Sequence, residues 1–368
     1  MKIQLRHEYD RRIGIALVGC GGHAYRNILP SLNYLPVNLV ATCDIDSERA
    51  SAYASTFGAA RSFASFDELL EWAPDNGVEA VLLVLGFRDG LPQYRDFAIR
   101  AMERGLHVWM EKPPAASSAE IEAMLDAQLA TNRTVQVGYK HYFFPSLQKA
   151  RSIIGSEEFG SPTSLNATYP LRLGTAEHRA CAPNQPISLD VCHPASAIHG
   201  LLGDIDSVWF DRSPNGGAIV ALRFINHAVG VLHCTMGKSA TSPNERFEVI
   251  GEHANVVVDN VVHLTYYRPG KRGRPGEGYG TTPEFFGIDS HAPLRWEPEF
   301  NLGQLYNMSL FLQGYVQELL HFITCVWERR QPDHAGLRDA LHLTHLYEAF
   351  RAAERTVVTL PRTKESNQ

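Results

Sequence analysis

Strands and helices alternate along the first third of this sequence. Apolar runs of strand length are separated by helix-length segments such as Ser47–Phe57 and Ser118–Ala130. The predicted strands are Ile13–Val18, Leu39–Cys43, a short one at Phe63, Val78–Leu85, Leu106–Met110 and Val135–Tyr139. Because parallel strands are joined through crossover helices, this alternation predicts βαβ units and an α/β domain built on a parallel sheet.

The pattern changes after residue 160, where short strands joined by tight turns take over. Pro214–Gly217 and Asn226-His227 are typical hairpin turns. The predicted strands are Leu165–Tyr169, Ser207–Phe210, Ala218–Phe224, Ala228–Cys234, Phe247–Gly251, Asn255–Val258 and Val261–Tyr267. One helix, Ser188–Leu202, interrupts the series, and two long helices close the chain, the second at Leu337–Glu354. We therefore expect two domains, residues 1–140 and 141–368, the second with a large, mostly antiparallel open sheet.

Composition excludes several classes of protein. The chain has 368 residues, 44% hydrophobic and 20% charged, with a net charge of −6, which provides no basic surface for nucleic acid. No apolar run is long enough to span a bilayer, and the charged start of the chain does not resemble a signal peptide. Six scattered cysteines without a C-x-x-C pair indicate reduced thiols, so we expect a cytoplasmic protein without nucleic-acid or membrane partners.

A glycine-rich turn follows the first predicted strand. Gly19-x-Gly21-x-x-Ala24 stands between strand Ile13–Val18 and a helix, which is the context that the dinucleotide-binding fingerprint requires. Gly19 permits the tight turn, Gly21 admits the pyrophosphate, and Ala24 allows helix and strand to pack closely. Gly22 and His23 lie at the helix N-terminus, whose N–H groups attract phosphate. The alternative is a turn without a ligand.

An acidic residue stands where the fingerprint expects one. Asp44 follows the second strand and is positioned to bind the hydroxyls of an adenosine ribose. A carboxylate there repels a 2′-phosphate, so Asp44 favours NAD. Arg49 is near enough in sequence to allow NADP.

The tetrapeptide Glu111-Lys112-Pro113-Pro114 follows strand Leu106–Met110. Ligands of open α/β sheets bind at the carboxyl ends of the strands. We therefore predict that Glu111 and Lys112 border the bound cofactor and that Lys112 takes part in the chemistry. A solvated surface lysine is the alternative.

These motifs resemble the Gfo/Idh/MocA oxidoreductases, the family of glucose–fructose oxidoreductase and inositol dehydrogenase. The resemblance covers nearly the whole chain. Its anchors are Gly19–Ala24, Asp44, Gly105–Pro113, Val137–Pro145, His193 to Gly203, Glu318-Leu319-x-x-Phe322-Ile323 and Asp339-Ala340-Leu341. It implies a doubly wound Rossmann NAD(P)-binding domain followed by an α/β domain that binds substrate. It also implies that the open sheet forms a homodimer or homotetramer, and that substrates are sugars, inositols or their derivatives.

The resemblance implies a catalytic group made of Lys112, a histidine and an aspartate four residues before it. His193 fits the histidine position, but Asp190 precedes it by three residues. Three further positions also depart from the family pattern, namely Cys192, Ser196 and Tyr94. Since residues three or four positions apart lie on the same face of a helix, we expect Asp190 to reach the site. A role as helix cap is the alternative.

Substrate contacts are expected from two further segments. Lys140 and Tyr142 follow a strand that ends at the cleft, although packing at the domain junction would also explain them. The loop 170–186 contains Arg172 and His178, and an arginine there would suit an anionic substrate, although a surface arginine is the default. Arg179 lies in the same loop.

Two further segments contain residue types found in metal sites and in lids. His178, Cys181, Cys192 and His193 are zinc-ligand types, but their spacing matches no common zinc site, so no metal is expected. The Gly/Pro-rich segment Pro269–Thr282 is either a surface loop or a lid or inter-subunit arm.

Three functions remain open from the sequence. The leading prediction is an NAD(P)-dependent dehydrogenase or ketoreductase acting on CH–OH groups, in which Lys112 and His193 handle the proton. The second is an enzyme that retains NAD without net redox change, such as a glycosidase or an eliminase. The third is a non-catalytic nucleotide-binding sensor.

Overall fold

The computed structural model describes residues 9, 11–180, 190–269, 292–298 and 309–362. Two large sheets, of six and nine strands, organise these residues. The α/β class and the change from parallel to mostly antiparallel pairing, both predicted from the sequence, are confirmed.

The first sheet is parallel, in the order β3-β2-β1-β4-β7-β8. The strands of residues 13–137 are β1 Ile13–Val18, β2 Val37–Cys43, β3 Arg61–Phe63, β4 Ala80–Leu83, β5 Phe87–Arg88, β6 Leu91–Pro92, β7 His107–Met110 and β8 Val135–Val137. Within the described residues, strands β5 and β6 pair only with each other. The direction of winding reverses between β1 and β4, which is where ligands of such sheets bind.

Register aligns the carboxyl ends of five strands. Val18 is paired with Cys43 and Leu83, Leu83 with Met110, and Met110 with Val137. The residues that come next along each strand therefore line one edge of the sheet. This edge carries the glycine-rich turn, the acid after β2 and the lysine after β7.

Helices cover both faces of this sheet. The first, α1, begins with a π-helical turn, Ala24–Ile28, and continues through Leu29–Ser31 and a 3₁₀ turn, Leu32–Tyr34. The others are α2 Ser47–Phe57, α3 Phe66–Trp72, α4 Tyr94–Glu103 and α5 Ser118–Thr131, with a 3₁₀ turn at Pro74–Asn76. Asp46 caps α2 by accepting from the Arg49 N–H. Gly105, at φ +82°, follows α4, as expected for a residue after a helix end.

The second sheet has the order β16-β15-β14-β13-β9-β12-β11-β10-β17. Its strands are β9 Pro162–Tyr169, β10 Ile205–Arg212, β11 Ala218–Phe224, β12 Val229–Cys234, β13 Arg246–Gly251, β14 Asn255–Asp259, β15 His263–Tyr267, β16 Leu294–Trp296 and β17 Val358–Thr359. Neighbouring strands are antiparallel except β9 and β12. Side chains alternate across it: Val220 is 1% exposed and Ile219 is 50% exposed, so one face is open.

The remaining helices connect the two sheets. They are the 3₁₀ turn Lys140–Tyr142, α6 Pro145–Ile154, α7 Ala176–Ala180, α8 Cys192–Leu202, α9 Ser309–Leu312, α10 Tyr315–Glu328 and α11 Leu337–Ala349. Helix α10 packs its apolar face, including Leu319 and Phe322, into the same core as β1 and α1. Helix α10, which comes from near the end of the chain, therefore covers the same face of the first sheet as α1. The division at residues 140 and 141 stays a prediction.

Some local predictions need correction. The last long helix was predicted to run to Glu354, but α11 ends at Ala349. Helix α6 and the β5–β6 hairpin were not predicted. Residues 188–189 of the predicted helix Ser188–Leu202, and all of the predicted loop Pro269–Thr282 except Pro269, lie outside the described residues. None of the described helices is long and apolar enough to cross a membrane.

Candidate active site

Gly19 forms the tight turn that ends β1. Its φ is +95°, and its N–H donates to the Cys43 carbonyl. A Cβ added here would lie 2.2 Å from the Val84 carbonyl oxygen. Both the backbone angle and the close approach of two strands therefore require glycine.

The next glycines leave open space over the start of α1. A Cβ on Gly21 would meet no heavy atom of the described residues within 4 Å, and one on Gly22 would approach only the Arg26 guanidinium, at 3.6 Å. The Gly21 carbonyl is held by the Tyr53 hydroxyl. Ala24 is fully buried, as the fingerprint requires. An open space beside helix N–H groups and a guanidinium fits the pyrophosphate of a dinucleotide. Sequence reasoning missed Arg26, which lies one helical turn after Gly22.

Asp44 is held rigidly after β2. Its Oδ2 accepts from the Cys20 N–H at 2.7 Å, and its Oδ1 accepts from the Asp46 N–H at 2.9 Å. These bonds join the carboxylate to the glycine-rich turn. Arg49 pairs with Asp46 at 3.0 Å and lies 3.8 Å from Asp44. The predicted ribose-binding acid and the arginine that would admit NADP are thus neighbours.

His23 and Glu111 connect the glycine-rich turn with the end of β7. Asn27 donates to His23 Nδ1, and His23 Nε2 donates to Glu111 Oε1 at 2.7 Å. The other carboxylate oxygen of Glu111 accepts from the Lys112 N–H. The two predicted cofactor-binding segments therefore form one hydrogen-bonded unit.

Lysines follow two adjacent strands, β7 and β8. Lys112 is partly buried, and its peptide bond to Pro113 is cis. Lys140 Nζ donates to Gln313 Oε1 at 3.0 Å and to the Tyr315 hydroxyl at 3.3 Å, and it lies over the Tyr315 ring. Burial lowers the pKa of Lys140. Lys140 is thus held by α10 at the cleft edge.

His193 approaches these lysines from α8. Its ring centroid lies 4.9 Å from that of His141. Burial lowers the pKa of His193 well below its usual value, and the charges of Lys112, His141, Lys140 and His23 lower it further. The predicted residues of the glycine-rich turn, the strand ends and α8 therefore converge. In this environment His193 is neutral and can accept a proton.

Asp190 lies close to this group, since burial raises the pKa of the adjoining Cys192 thiol and the charge of Asp190 contributes to that rise. It is exposed and precedes the first residue of α8. Among the described residues, no hydrogen bond links its carboxylate to His193. Asp190 is helical and Val191 has helical backbone angles, but α8 begins at Cys192, so a role for Asp190 at the site stays a prediction.

Tyr142 was predicted to contact substrate, and the structure corrects this. The residue is 1% exposed, and its hydroxyl hydrogen-bonds His199 Nδ1 at 2.7 Å. Its ring stacks on His334. Lys140 and Tyr142 lie two positions apart in a 3₁₀ turn, so their side chains point in different directions, and that of Tyr142 points into the core.

The segment after β9 divides into exposed and buried residues. Arg172 and His178 are exposed, and the Arg172 guanidinium lies beside the Gly216 turn. Arg179, by contrast, is 1% exposed and donates to the carbonyl groups of Gly174 and Phe350. Its hydrogen bond to Glu354 lowers the pKa of that carboxyl to about 2. Arg179 is a structural anchor, whereas substrate roles for Arg172 and His178 stay predictions.

Four residues at the site escaped sequence reasoning. They are His141, Glu245, Tyr315 and Glu318. Tyr315 lies at helical spacing with Leu319 and Phe322, a pattern typical of core packing, and Glu318 belongs to one of the motifs that carry the family resemblance. No local signal connects Glu245 with His141, which lie 104 positions apart.

Glu318 is a buried acid beside the cleft. It is 0% exposed, and neither carboxyl oxygen has a hydrogen-bond partner among the described residues. Burial raises its pKa well above the usual value, and the nearby Glu111 raises it further while Lys140 opposes the shift. Ionisation of Glu318 therefore favours the unfolded chain.

Glu318→Gln should stabilise the protein at neutral pH by more than about 1 kcal/mol. Glu318 stabilises the fold fully only below its unfolded pKa, and this contribution is lost as the pH rises towards the folded value. The advantage of the variant in the free energy of unfolding should therefore be large at pH 7 and shrink towards pH 4, as measured by urea denaturation. An advantage independent of pH would contradict this account.

His199, Asp204 and His342 form the cluster nearest to a metal site in the described part of the chain. His342 Nε2 accepts from the Ile205 N–H, so the ring proton is on Nδ1. His199 Nε2 bonds Asp204 at 2.8 Å while its Nδ1 bonds Tyr142. The imidazoles are thus already engaged in hydrogen bonds that compete with metal ligation, and we assign the cluster to packing.

Comparison with known proteins supports the fold and the nucleotide site. Residues 13–139 match the model of the oxidoreductase family with an NAD-binding Rossmann fold. D-xylose 1-dehydrogenase (NADP(+)) 2 of Haloferax volcanii is 29% identical over 197 residues, 52% of this chain and 58% of the relative. Inositol 2-dehydrogenase of Salmonella typhimurium is 25% identical over 170 residues, 46% and 48% of the two chains. This chain thus spans about half the length of these curated relatives.

The fold extends beyond these matches. The structure of levoglucosan dehydrogenase in complex with NADH and levoglucosan aligns with a TM-score of 0.75 at 16% identity, over 96% of this chain and 100% of that one. At this identity the likeness concerns the fold, and it includes the second sheet. The resemblance predicted from the motifs is confirmed over residues 13–139, which match the Gfo/Idh/MocA model of the oxidoreductase family with an NAD-binding Rossmann fold.

Proposed function

We propose that the protein is an NAD(P)-dependent dehydrogenase or ketoreductase that acts on a CH–OH group of a sugar, an inositol or a derivative. One observation carries the proposal. Lys112 follows Glu111, which is hydrogen-bonded to His23 of the glycine-rich turn, and His193 packs 4.9 Å from the ring of His141, the residue after Lys140. A proton-handling pair beside a dinucleotide cradle is what carbinol oxidation requires.

The cofactor would be held by the carboxyl-end edge of the first sheet. The space over Gly21 and Gly22 suits the pyrophosphate, with Arg26 beside it, and Asp44 suits the adenosine ribose. When bound, the nicotinamide supplies the chemistry of hydride transfer. NAD is the expected cofactor, and the exposed Arg49 beside Asp44 also admits NADP.

Lys112 and His193 would handle the charge and the proton of the reacting oxygen. The Lys112 ammonium can hydrogen-bond the oxygen and stabilise the negative charge that develops on it. The neutral His193 ring can take the hydroxyl proton and return it in the reverse direction. Lys140, fixed by Gln313 and Tyr315, can orient a further substrate hydroxyl.

The polyol class is supported by the relatives, which are named as xylose and inositol dehydrogenases. The cleft also offers ammonium and imidazole donors from Lys112, Lys140 and His193. Such donors suit a substrate rich in hydroxyl groups.

The proposal is tested by a screen of sugars, polyols and keto-sugars, read at the nicotinamide absorbance with NAD and NADP in parallel. We expect a change in absorbance with at least one polyol or keto-sugar. Product formation without added cofactor would favour an NAD-retaining enzyme without net redox change. Cofactor binding without turnover across the panel would favour a sensor.

We also propose a homodimer or homotetramer assembled through the open face of the second sheet. Ile219 and Val229 are 50% and 45% exposed on neighbouring strands of that face, which is the face that the family resemblance implies for assembly. Light scattering should give the mass of two or four chains. The mass of a single chain at assay concentration would contradict this.

A further inference from the structure

His141 and Glu245 form a buried pair behind His193. Their residues are 2% and 9% exposed, and His141 Nε2 lies 3.2 Å from Glu245 Oε2. The other ring nitrogen of His141, Nδ1, is buried without a hydrogen-bond partner among the described residues. The His141 ring meets the His193 ring at 4.9 Å and 41°. The Glu245 carboxylate, the His141 ring and the His193 ring therefore lie next to one another in space, in that order.

A protonated His193 needs a nearby negative charge to stabilise it, because its charged neighbours are mostly basic. The titratable and charged groups that face or adjoin it are Lys112, Lys140, His23, His141, Glu245, Tyr169, Cys192 and Asp190. Burial and the basic side chains around His193, of which Lys112 has the largest effect, all disfavour the protonated ring. An imidazolium formed by taking a proton would therefore be unstable. Asp190, which sequence reasoning offered as the acid, is exposed.

We propose that Glu245 and His141 are the positioning pair of His193 and do the work expected of Asp190. This inference rests on the proposed function, in which His193 takes the hydroxyl proton of the substrate. Glu245 and His141 act through His193 and do not contact the reacting atoms in this proposal.

The pair acts through geometry and charge. Glu245 accepts the Nε2–H of His141, which fixes the tautomer and the plane of that ring. The fixed ring packs against His193 and holds it towards the cleft. When the substrate O–H bond breaks, an N–H bond forms on His193, and the carboxylate one ring away offsets the new positive charge. The reverse transfer returns the proton to the substrate oxygen.

Glu245→Gln and Asp190→Asn decide between the two acids. Both substitutions remove a charge and keep the shape of the side chain. For Glu245→Gln we expect kcat of oxidation to fall about tenfold, with KM nearly unchanged. Losing the carboxylate lowers the pKa of His193, so the acid limb of the kcat profile should move to lower pH by about one unit. Asp190→Asn should match the wild type in both measurements.

A wild-type rate and pH profile in Glu245→Gln would overturn the inference, as would a shift of the acid limb confined to Asp190→Asn. Thermal unfolding of each variant identifies a loss of rate that comes only from misfolding. In that case, Glu245→Asp should restore the pH profile if the charge matters. Failure of the wild type to turn over any substrate would refute the proposed function instead.

A measurement without turnover tests the pair directly. Histidine ¹H–¹⁵N spectra, assigned with His141→Asn, should show His141 as the Nε2–H tautomer at neutral pH in the wild type. The His193 signal should titrate at lower pH in Glu245→Gln than in Asp190→Asn. A His141 ring protonated on Nδ1 alone, or identical His193 titrations, would overturn the inference.

Discussion

Lys112→Met should lower the turnover number about a thousandfold while cofactor affinity changes by less than about threefold. Methionine keeps the length of the side chain but removes the only charge that Lys112 can offer to the reacting oxygen. The backbone bond from the Lys112 N–H to Glu111 persists, so the unit formed with His23 stays in place. Steady-state kinetics and a fluorescence titration with the cofactor measure the two quantities.

Lys149→Met is the matched control, because Lys149 is an exposed lysine on α6. This variant should turn over like the wild type. Equal turnover of Lys112→Met and Lys149→Met would remove Lys112 from the mechanism. A parallel loss of cofactor affinity in Lys112→Met would assign the residue to binding rather than to chemistry.

Gly19→Ala should destabilise the fold by about 3 kcal/mol, through left-handed backbone strain and the displacement of a packed backbone group. Its Cβ would lie 2.2 Å from the Val84 carbonyl oxygen, so β1 and β4 must separate at the edge where the cofactor binds. Cofactor binding should be lost as well. Urea denaturation with and without NAD measures both effects.

Gly21→Ala separates the two roles of the turn. Its Cβ would meet no described atom within 4 Å, so the stability of the free protein should be nearly unchanged. The same Cβ would occupy the space assigned to the pyrophosphate, so added NAD should no longer stabilise this variant. If NAD protected Gly21→Ala as well as the wild type, the cradle would lie elsewhere.

Sequence reasoning reached the nucleotide edge because its signals are local. The turn at Gly19, the acid after β2 and the lysine after β7 each adjoin their own strand. In a parallel sheet the register brings strand ends together, so Val18, Cys43 and Met110 align without further information. The close approach of Gly19 to the Val84 carbonyl cannot be read from the sequence, which shows only a glycine in the turn after β1.

The other side of the cleft depends on contacts between distant segments. Helix α10 returns from the end of the chain to pack on β1 and α1, and this brings Tyr315 to Lys140. His141 meets Glu245 across 104 positions. The spacing of Asp190 and His193 could not show that α8 begins only at Cys192. A helix boundary predicted from the sequence is uncertain by one or two residues.

The proposed function requires that the sheet edge at Lys112 hold a nicotinamide, which would supply hydride-transfer chemistry at the substrate carbinol carbon. The most direct test uses a substrate found in the screen, deuterated at its reacting carbon, with analysis of the cofactor by mass spectrometry after one turnover. Over the time that wild-type protein needs for one turnover, we predict one deuterium in the reduced cofactor with wild-type protein and almost none with Lys112→Met, whose turnover is about a thousandfold slower. Product formed by wild-type protein with no deuterium in the cofactor would contradict the account.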